Sequence, residues 1–457
     1  MFTYAKKCAK MVKVFLKGVC LMDIKARVLT LGCRVNQYES DAIMQELAKS
    51  GVKICDKDEI CDIYIINTCT VTAESDRKSK QFIRRCISKN PDAVIIVTGC
   101  YAQINPEEAL QIDGVNFVCG NNGKSTIAKK ALELLNKKSE KSSYIPDIYS
   151  SKFDQMEVGA PMTRTRAFIK IQDGCDSKCA YCIIPRARGS VRSDSRENIL
   201  AEINRAVSQG CKEVVLTGIE TASYGKDFKS GYSLADLLCE ANEIKGLERI
   251  RLGSLDPVSL TKDFIDKIKG LSKVMPHFHI SMQSGCTRTL NLMKRKYSIE
   301  IARKNIEYMK SQIKDLMLSA DVITGFPDET DADFAQTMDF FEEQKFMRLH
   351  IFPYSKRKGT LAYDMPNQVS EQVKKDRLKM LSNLEAGIRN ELYGSFVKSL
   401  KIVPVLFENF DGEFAYGHTE NFIEIKAKSD SKLSGEIKYV SLINYDSERI
   451  YGEIVNK

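Results

Sequence analysis

Short apolar, β-branched runs recur through the first third of the chain, at residues 28–31, 63–66, 94–97 and 115–118, and each opens into a polar loop. Between them, segments 39–49, 76–88, 106–110 and 124–135 space their apolar residues for helices. Buried strands alternating with helices predict an N-terminal α/β domain over residues 25–136, built on a parallel sheet covered on both faces. The polar stretch 137–160 loses the periodicity and reads as a linker.

The β-then-α rhythm returns six times over residues 161–391. Its strands are expected at 167–171, 213–217, 249–253, 277–282, 319–324 and 348–353, with amphipathic segments at 197–208, 234–243, 299–311 and 331–343. Six units predict an open, partial (βα)6 barrel, short of the eight-unit closed form. From residue 393 to 457 the period shortens. Five short strands, at 403–407, 414–418, 422–426, 437–442 and 449–454, are broken by Asp411-Gly412 and Ser434-Gly435, predicting a small antiparallel β-barrel of OB-like size. The fold class is α/β with this barrel appended.

Composition excludes disorder, collagen and coiled-coil rods, with 43% hydrophobic and 28% charged residues. A net charge of +9, from 69 Lys and Arg against 60 Asp and Glu, is compatible with a nucleic-acid partner without requiring one. Residues 1–21 hold Lys6, Lys7, Lys10, Lys13 and Lys17 and no acid, and residues 1–24 are expected to be a basic leader outside the fold. Lys13 and Lys17 interrupt its apolar run and no small-residue cleavage site follows, so it does not read as a secretory signal. No run reaches the length that spans a membrane as a helix, and the protein is expected to be cytoplasmic. In a reducing compartment, 15 cysteines point to metal binding or catalysis rather than disulfides.

Cys175-Asp-Ser-Lys-Cys179-Ala-Tyr-Cys182 follows the first strand of the partial barrel, at the end where barrel enzymes place their chemistry. Zinc would call for a fourth protein ligand. Three thiolates on a [4Fe–4S] cube leave one iron open to an exogenous ligand. Cys33, Cys69 and Cys100 are far apart in sequence, yet each falls one to three residues after an apolar run of the first domain. The loops after parallel strands meet in one crevice, so these thiols are expected to converge. Taken singly, each also suits a small buried position. Cys55, Cys61, Cys86, Cys119, Cys211, Cys239 and Cys286 show no such pattern and read as packing or surface thiols, and Cys8 and Cys20 lie in the leader.

Thr30-Leu-Gly-Cys33-Arg-Val-Asn36-Gln37-Tyr38-Glu39, Asn67-Thr-Cys69-Thr-Val-Thr72, Thr98-Gly-Cys100-Tyr-Ala-Gln103 and Gly174-Cys175 through Cys182-Ile-Ile-Pro185 together resemble the radical S-adenosylmethionine (SAM) methylthiotransferases. The likeness runs from about Lys25 to the end. The stretch after Gly32 most resembles the branch acting on N6-threonylcarbamoyladenosine in tRNA. The resemblance implies two [4Fe–4S] clusters. Cys175, Cys179 and Cys182 would hold the one that chelates SAM and, once reduced, cleaves it to methionine and a 5′-deoxyadenosyl radical. Cys33, Cys69 and Cys100 would hold an auxiliary cluster that carries or delivers sulfur, and a second SAM would supply the methyl group. The partners implied are a tRNA anticodon stem-loop, a low-potential electron donor and a sulfur source. The product would be 2-methylthio adenosine 3′ of the anticodon. The terminal barrel resembles a TRAM domain, which grips RNA, although from Lys398 on it has eight Lys and Arg against ten Asp and Glu. Alternative targets are isopentenyladenosine in tRNA or a ribosomal-protein aspartate; a further alternative is a non-catalytic iron–sulfur RNA-binding protein.

Strand-end glycines and polar residues add a SAM pocket by the same resemblance, with Gly218, Gln283 and Gly325 as expected contacts. His277 and His279 read as structural. Tyr354-Ser-Lys356-Arg357-Lys358-Gly359 is either a phosphate contact or a solvated charge run. Arg186 stands where relatives often have an aromatic residue. Gly120-Asn-Asn-Gly123-Lys124-Ser125 is not a phosphate loop, because the first glycine that motif requires is Val118 here.

Overall fold

The computed structural model describes residues 24–56, 59–136, 141–159, 164–399 and 402–455. They form two compact units, divided between Met156 and Glu157. The leader expected over residues 1–24 lies outside the described residues up to residue 23.

The first unit is a parallel sheet of β1 (Lys25–Thr30), β2 (Lys53–Ile54), β3 (Ile63–Thr68), β4 (Val94–Gly99), β5 (Phe117–Cys119) and β6 (Ser142–Tyr144), in the order β2-β1-β3-β4-β5-β6. Every residue of β3 and β4 is buried, because helices cover both faces of the two central strands. That is why their sequences are continuous apolar runs rather than alternating ones. The expected linker contributes β6, which pairs with β5 from Phe117↔Ser142 to Cys119↔Tyr144. Ser143 and Tyr144 are exposed, so this strand is held by backbone hydrogen bonds and carries no apolar pattern.

In the second unit, β7 (Arg166–Lys170) is followed by β8 (Gln172–Asp173), which pairs antiparallel with β9 (Arg192–Ser193). This short ribbon closes the base of the loop carrying Cys175, Cys179 and Cys182. β10 (Glu213–Thr217), β11 (Arg249–Leu252), β12 (His277–Gln283), β13 (Met317–Thr324) and β14 (Arg348–Pro353) complete six parallel strands. They form two three-stranded sheets, β11-β10-β7 and β12-β13-β14, joined by isolated bridges Ile250↔Val274 and Leu255↔Ile280. The partial barrel is therefore pinched at its middle, where β11 meets β12.

A 29-residue helix, Glu371–Ser399, runs past residue 393, where the terminal barrel was expected to begin. The barrel itself is closed, from β15 (Ile402–Phe410), β16 (Phe414–His418), β17 (Glu424–Lys428), β18 (Ile437–Tyr445) and β19 (Ile450–Val455), in the order β15-β16-β17-β19-β18. One pair, β17 with β19, is parallel, so the barrel is not wholly antiparallel.

The terminal barrel packs against the amino ends of the six-strand barrel. Arg249, which opens β11, donates to His418 O (2.9 Å) and Pro404 O (3.0 Å). Arg251 donates to Glu420 O and Thr419 O, both at 2.8 Å, and to Glu213 Oε1 at 2.8 Å. Phe422, expected within a strand, instead takes a left-handed turn (φ 67°) just before β17. Its ring stacks between His277 (4.8 Å) and His418 (4.5 Å), with the guanidiniums of Arg166 and Arg251 at 5.0 and 4.8 Å. Glu408 pairs with Arg166 (2.6 Å) and His418 (2.6 Å). Burial opposes its charge, but these two partners outweigh burial and hold its carboxyl down to about 2.

Phe422→Ala removes both stacked contacts and both cation–π contacts and should destabilise the second unit by roughly 1–3 kcal/mol. Denaturant unfolding of the full chain would measure this, and an unchanged midpoint would mean that the ring does not secure the barrel.

Candidate metal centres

In the first unit, β1, β3 and β4 each release a cysteine at the carboxyl end. Cys33 precedes the helix Arg34–Lys49, Cys69 follows β3, and Cys100 opens the helix Cys100–Ile104. Cys33 is exposed, whereas Cys69 and Cys100 are buried. Gly32 has φ +93°, and a Cβ there would lie 2.8 Å from Cys69 Sγ, so only glycine lets these two loops touch. Burial pushes the Cys69 thiol up to about 11, and Cys100 and Cys33 add to the shift, so the three sulfurs lie within electrostatic range of one another.

Side-chain amides hold these loops in place. Asn36 Nδ2 donates to Leu31 O (2.7 Å) and Thr68 O (3.0 Å), tying the residues before Cys33 to those before Cys69. Asn67 Nδ2 donates back to Asn36 O (2.9 Å). Asn121 Nδ2 donates to Cys100 Sγ at 3.4 Å, while Gln103 Oε1 accepts from the Asn121 N–H at 2.9 Å. Beneath them Lys124 pairs with Glu39, each side chain 1% exposed, and Lys124 Nζ also donates to Asn67 Oδ1 at 3.3 Å. The lysine of the rejected phosphate-loop match is thus a buried counter-charge.

The second trio is held by an ionic node at its base. Asp173 accepts from Arg188 Nη1 through both oxygens at 3.0 Å and pairs with Lys170 at 2.7 Å. All three side chains are at most 3% exposed. Gly174 (φ +74°) passes so close to Ser190 that a Cβ would lie 1.8 Å from its carbonyl oxygen. Cys175 N–H then donates to Gly189 O at 2.9 Å. Farther along, Ala180 donates to Met293 O (2.9 Å) and its carbonyl accepts from Ala362 N–H (2.8 Å), so the loop is clamped from both sides. Ile184 N–H donates to Cys182 Sγ at 3.4 Å. Burial, then the neighbouring Cys179 and Cys175, push the Cys182 thiol up to about 12.

Around this loop, Gln172 spans two strand ends. Its Nε2 donates to Asp173 O (2.8 Å) and Gly174 O (2.6 Å), and its Oε1 accepts from Glu220 N–H at 3.0 Å. This draws the Gly218 turn against the cysteine loop, with Gly218 so close to Gln172 that a Cβ would lie 2.6 Å from Oε1. Glu220 is pushed up to about 7 by burial and by the charge of Asp256. Gln283 ends β12 at φ +67°, after a register shift against β13. Gly325 has its own structural role: its N–H donates to Glu329 Oε2 at 2.7 Å, and Lys374 of the long helix fills the space a Cβ would take. Arg295, which sequence reading passed over inside the charge run Lys294-Arg295-Lys296, is buried and donates to Cys179 Sγ at 3.5 Å. His277 and His279 both hydrogen-bond Ser319 Oγ, at 3.1 and 3.0 Å.

Among the described residues no three His, Cys, Asp or Glu side chains converge on a point for a single ion. Each trio offers three thiols, one short of a four-ligand zinc tetrahedron. Cys69 and Cys182, held protonated by burial, would have to give up their protons to serve as thiolate ligands.

A partial parallel barrel with three thiols in the loop after its first strand defines the radical SAM class, and residues 169–341 match the Radical SAM superfamily. Residues 25–120 match the family described as Uncharacterized protein family UPF0004. Threonylcarbamoyladenosine tRNA methylthiotransferase MtaB of Bacillus subtilis is 38% identical over 419 residues, covering 91% of this chain and 92% of the relative. The protein of the same name from Aquifex aeolicus is 36% identical, covering 88% and 96%. A tRNA-2-methylthio-N(6)-dimethylallyladenosine synthase of Acetivibrio thermocellus is 33% identical, covering 93% and 90%. Among solved structures, the radical SAM methyltransferase TsrM of Kitasatospora setae shares the fold, at TM-score 0.52 and 13% identity over 72% of each chain. The chain belongs to the radical SAM methylthiotransferase family. Among the described residues no helix is long and apolar enough to cross a membrane.

Lys124→Met removes the buried cation that faces the Glu39 carboxylate, which should cost roughly 3–5 kcal/mol. The double variant with Glu39→Gln should recover much of that loss. Thermal unfolding of the two variants would measure both effects, and equal midpoints would mean that the pair is not coupled.

Proposed function

We propose that the chain transfers a methylthio group to C2 of N6-threonylcarbamoyladenosine, 3′ of the anticodon in tRNA, in the cytoplasm. The observation that carries this reading is the pairing of two three-thiol sites, one after the first strand of a partial barrel and one at the strand ends of a parallel sheet. Relatives named for this reaction support the choice of nucleoside, at 36–38% identity.

Adenine C2 bears an aromatic C–H that side-chain acid–base catalysis does not activate at neutral pH. A [4Fe–4S] cluster with SAM, held by Cys175, Cys179 and Cys182, would supply the radical chemistry, and a second cluster at Cys33, Cys69 and Cys100 would serve sulfur transfer. The protein's own part is to hold, orient and shield. The Asp173 node and the Ala180 clamp fix the loop of one site, and Asn36, Asn67 and Asn121 fix the loops of the other. Gly218, which lies against Gln172 at the base of the first loop, Gln283 and Gly325 are the proposed contacts for SAM. A low-potential electron donor, a sulfur source and a tRNA anticodon stem-loop complete the partners, with the TRAM-like barrel taking part in holding RNA.

The test is nucleoside mass spectrometry of tRNA from a strain lacking the protein. The methylthio form of threonylcarbamoyladenosine should disappear while its precursor accumulates. Loss of the isopentenyladenosine derivative, or of a modified ribosomal-protein aspartate, would redirect the assignment. In the purified protein, anaerobic reconstitution should give about eight iron atoms per chain, two cubes' worth. Cys179→Ala should abolish SAM cleavage, whereas Cys69→Ala should keep cleavage and lose the methylthio product. A Cys69→Ala enzyme that still makes product would remove the auxiliary site from the scheme.

A further inference from the structure

We infer that Arg295 is a positioning residue that makes the cluster at Cys175, Cys179 and Cys182 easier to reduce. This rests on the proposed cluster assignment. The Arg295 side chain is 6% exposed and its guanidinium joins three strand-end segments. Nη1 donates to Cys179 Sγ (3.5 Å), while Nη2 donates to Asp256 Oδ2 (2.8 Å) and Ser281 O (3.0 Å). The Tyr297 ring, 5.3 Å from the guanidinium carbon, packs against the same group. Asp256 lies on the nitrogen that does not touch sulfur, so the cation is anchored with its other nitrogen directed at Cys179.

Reduction adds one electron, taken from a low-potential one-electron donor, and breaks no bond at this stage. The added negative charge spreads onto the thiolate ligands. A buried cation donating to one of those sulfurs stabilises the reduced form more than the oxidised form. Hydrogen bonds to sulfur and local charge are general determinants of cluster potential. The other sulfurs are met by backbone groups, Cys182 by the Ile184 N–H at 3.4 Å and Cys175 by the Ser177 N–H.

The test is an electron paramagnetic resonance redox titration of the reconstituted full-length protein, following the reduced-cluster signal that added SAM perturbs. Arg295→Met and Arg295→Gln, which remove the charge, should disfavour reduction at least tenfold, a fall of about 59 mV for a one-electron couple. Arg295→Lys, which keeps the charge, should remain within about threefold of the parent. A charge-free variant with full iron content and an unchanged midpoint would overturn the assignment. Should neither charge-free variant take up iron, the double variant Asp256→Asn/Glu220→Gln applies the opposite sign. Unmasking the guanidinium should ease reduction, and an unchanged or lower midpoint there would overturn the assignment equally. Absence of any SAM-perturbed signal in the parent would instead overturn the cluster assignment itself.

Discussion

The parallel direction of the strands is the constraint from which the rest of the structure follows. In the N-terminal sheet and in the six-strand barrel the strands run the same way, so the loops at their carboxyl ends gather at one edge. Residues remote in sequence thereby become neighbours: Cys33, Cys69 and Cys100 in one unit, and Gln172, Glu220, Asp256 and Arg295 in the other. The amino ends of the second barrel are left free for another purpose. There Arg166, Glu213, Arg249 and His277, each the first residue of its strand, build the seat for the terminal barrel. Chemistry and domain docking therefore occupy opposite ends of the same strands.

How far this was legible depended on whether a feature was local or assembled. Fully buried strands produce unbroken apolar runs, so β3, β4 and β10 stand out in the sequence. The three-cysteine loop is legible because its ligands lie within eight residues, and the dispersed trio because each thiol follows an apolar run. The edge strand β6 was missed because its pairing uses backbone atoms and its side chains face solvent. Phe422 was placed in a strand because an aromatic beside β-branched residues suits a pleat. It lies instead in a left-handed turn, and its surroundings come from His277, Arg166 and Arg251, more than 140 residues away. Arg295 was hidden for a similar reason. Within a run of three cations it looks solvated, and only the fold supplies Asp256 and Ser281 to bury it.

The two thiol sites differ in the charge placed around them. In the first unit the donor to a ligand sulfur is the neutral amide of Asn121, and the nearby cation Lys124 is matched by Glu39. In the second unit Cys179 receives its hydrogen bond from a guanidinium, and the loop rests on Lys170 and Arg188 sharing the single carboxylate of Asp173. Each cation is matched by a carboxylate, Lys124 by Glu39 and Arg295 by Asp256, but the guanidinium also donates directly to sulfur, and that contact is the electrostatic difference between the two sites.

The terminal barrel shows why net charge is a poor guide to what a surface binds. Its excess of acids argues against a phosphate-binding role if every acid is counted as free. Glu408 is not, because it is paired with Arg166 and His418 where the barrel meets the six strands. On the outer face, Tyr416, Lys426 and Tyr451 are register partners across β16, β17 and β19. Lys426 Nζ stands 4.0 Å from the Phe414 ring centre, and Arg449 lies 5.5 Å from that of Tyr416. Aromatic rings interleaved with cations suit unpaired bases as well as phosphates, because stacking tolerates any base and the cations supply the local charge. The local character of this face is set by that row of side chains, and the sum over the domain does not describe it.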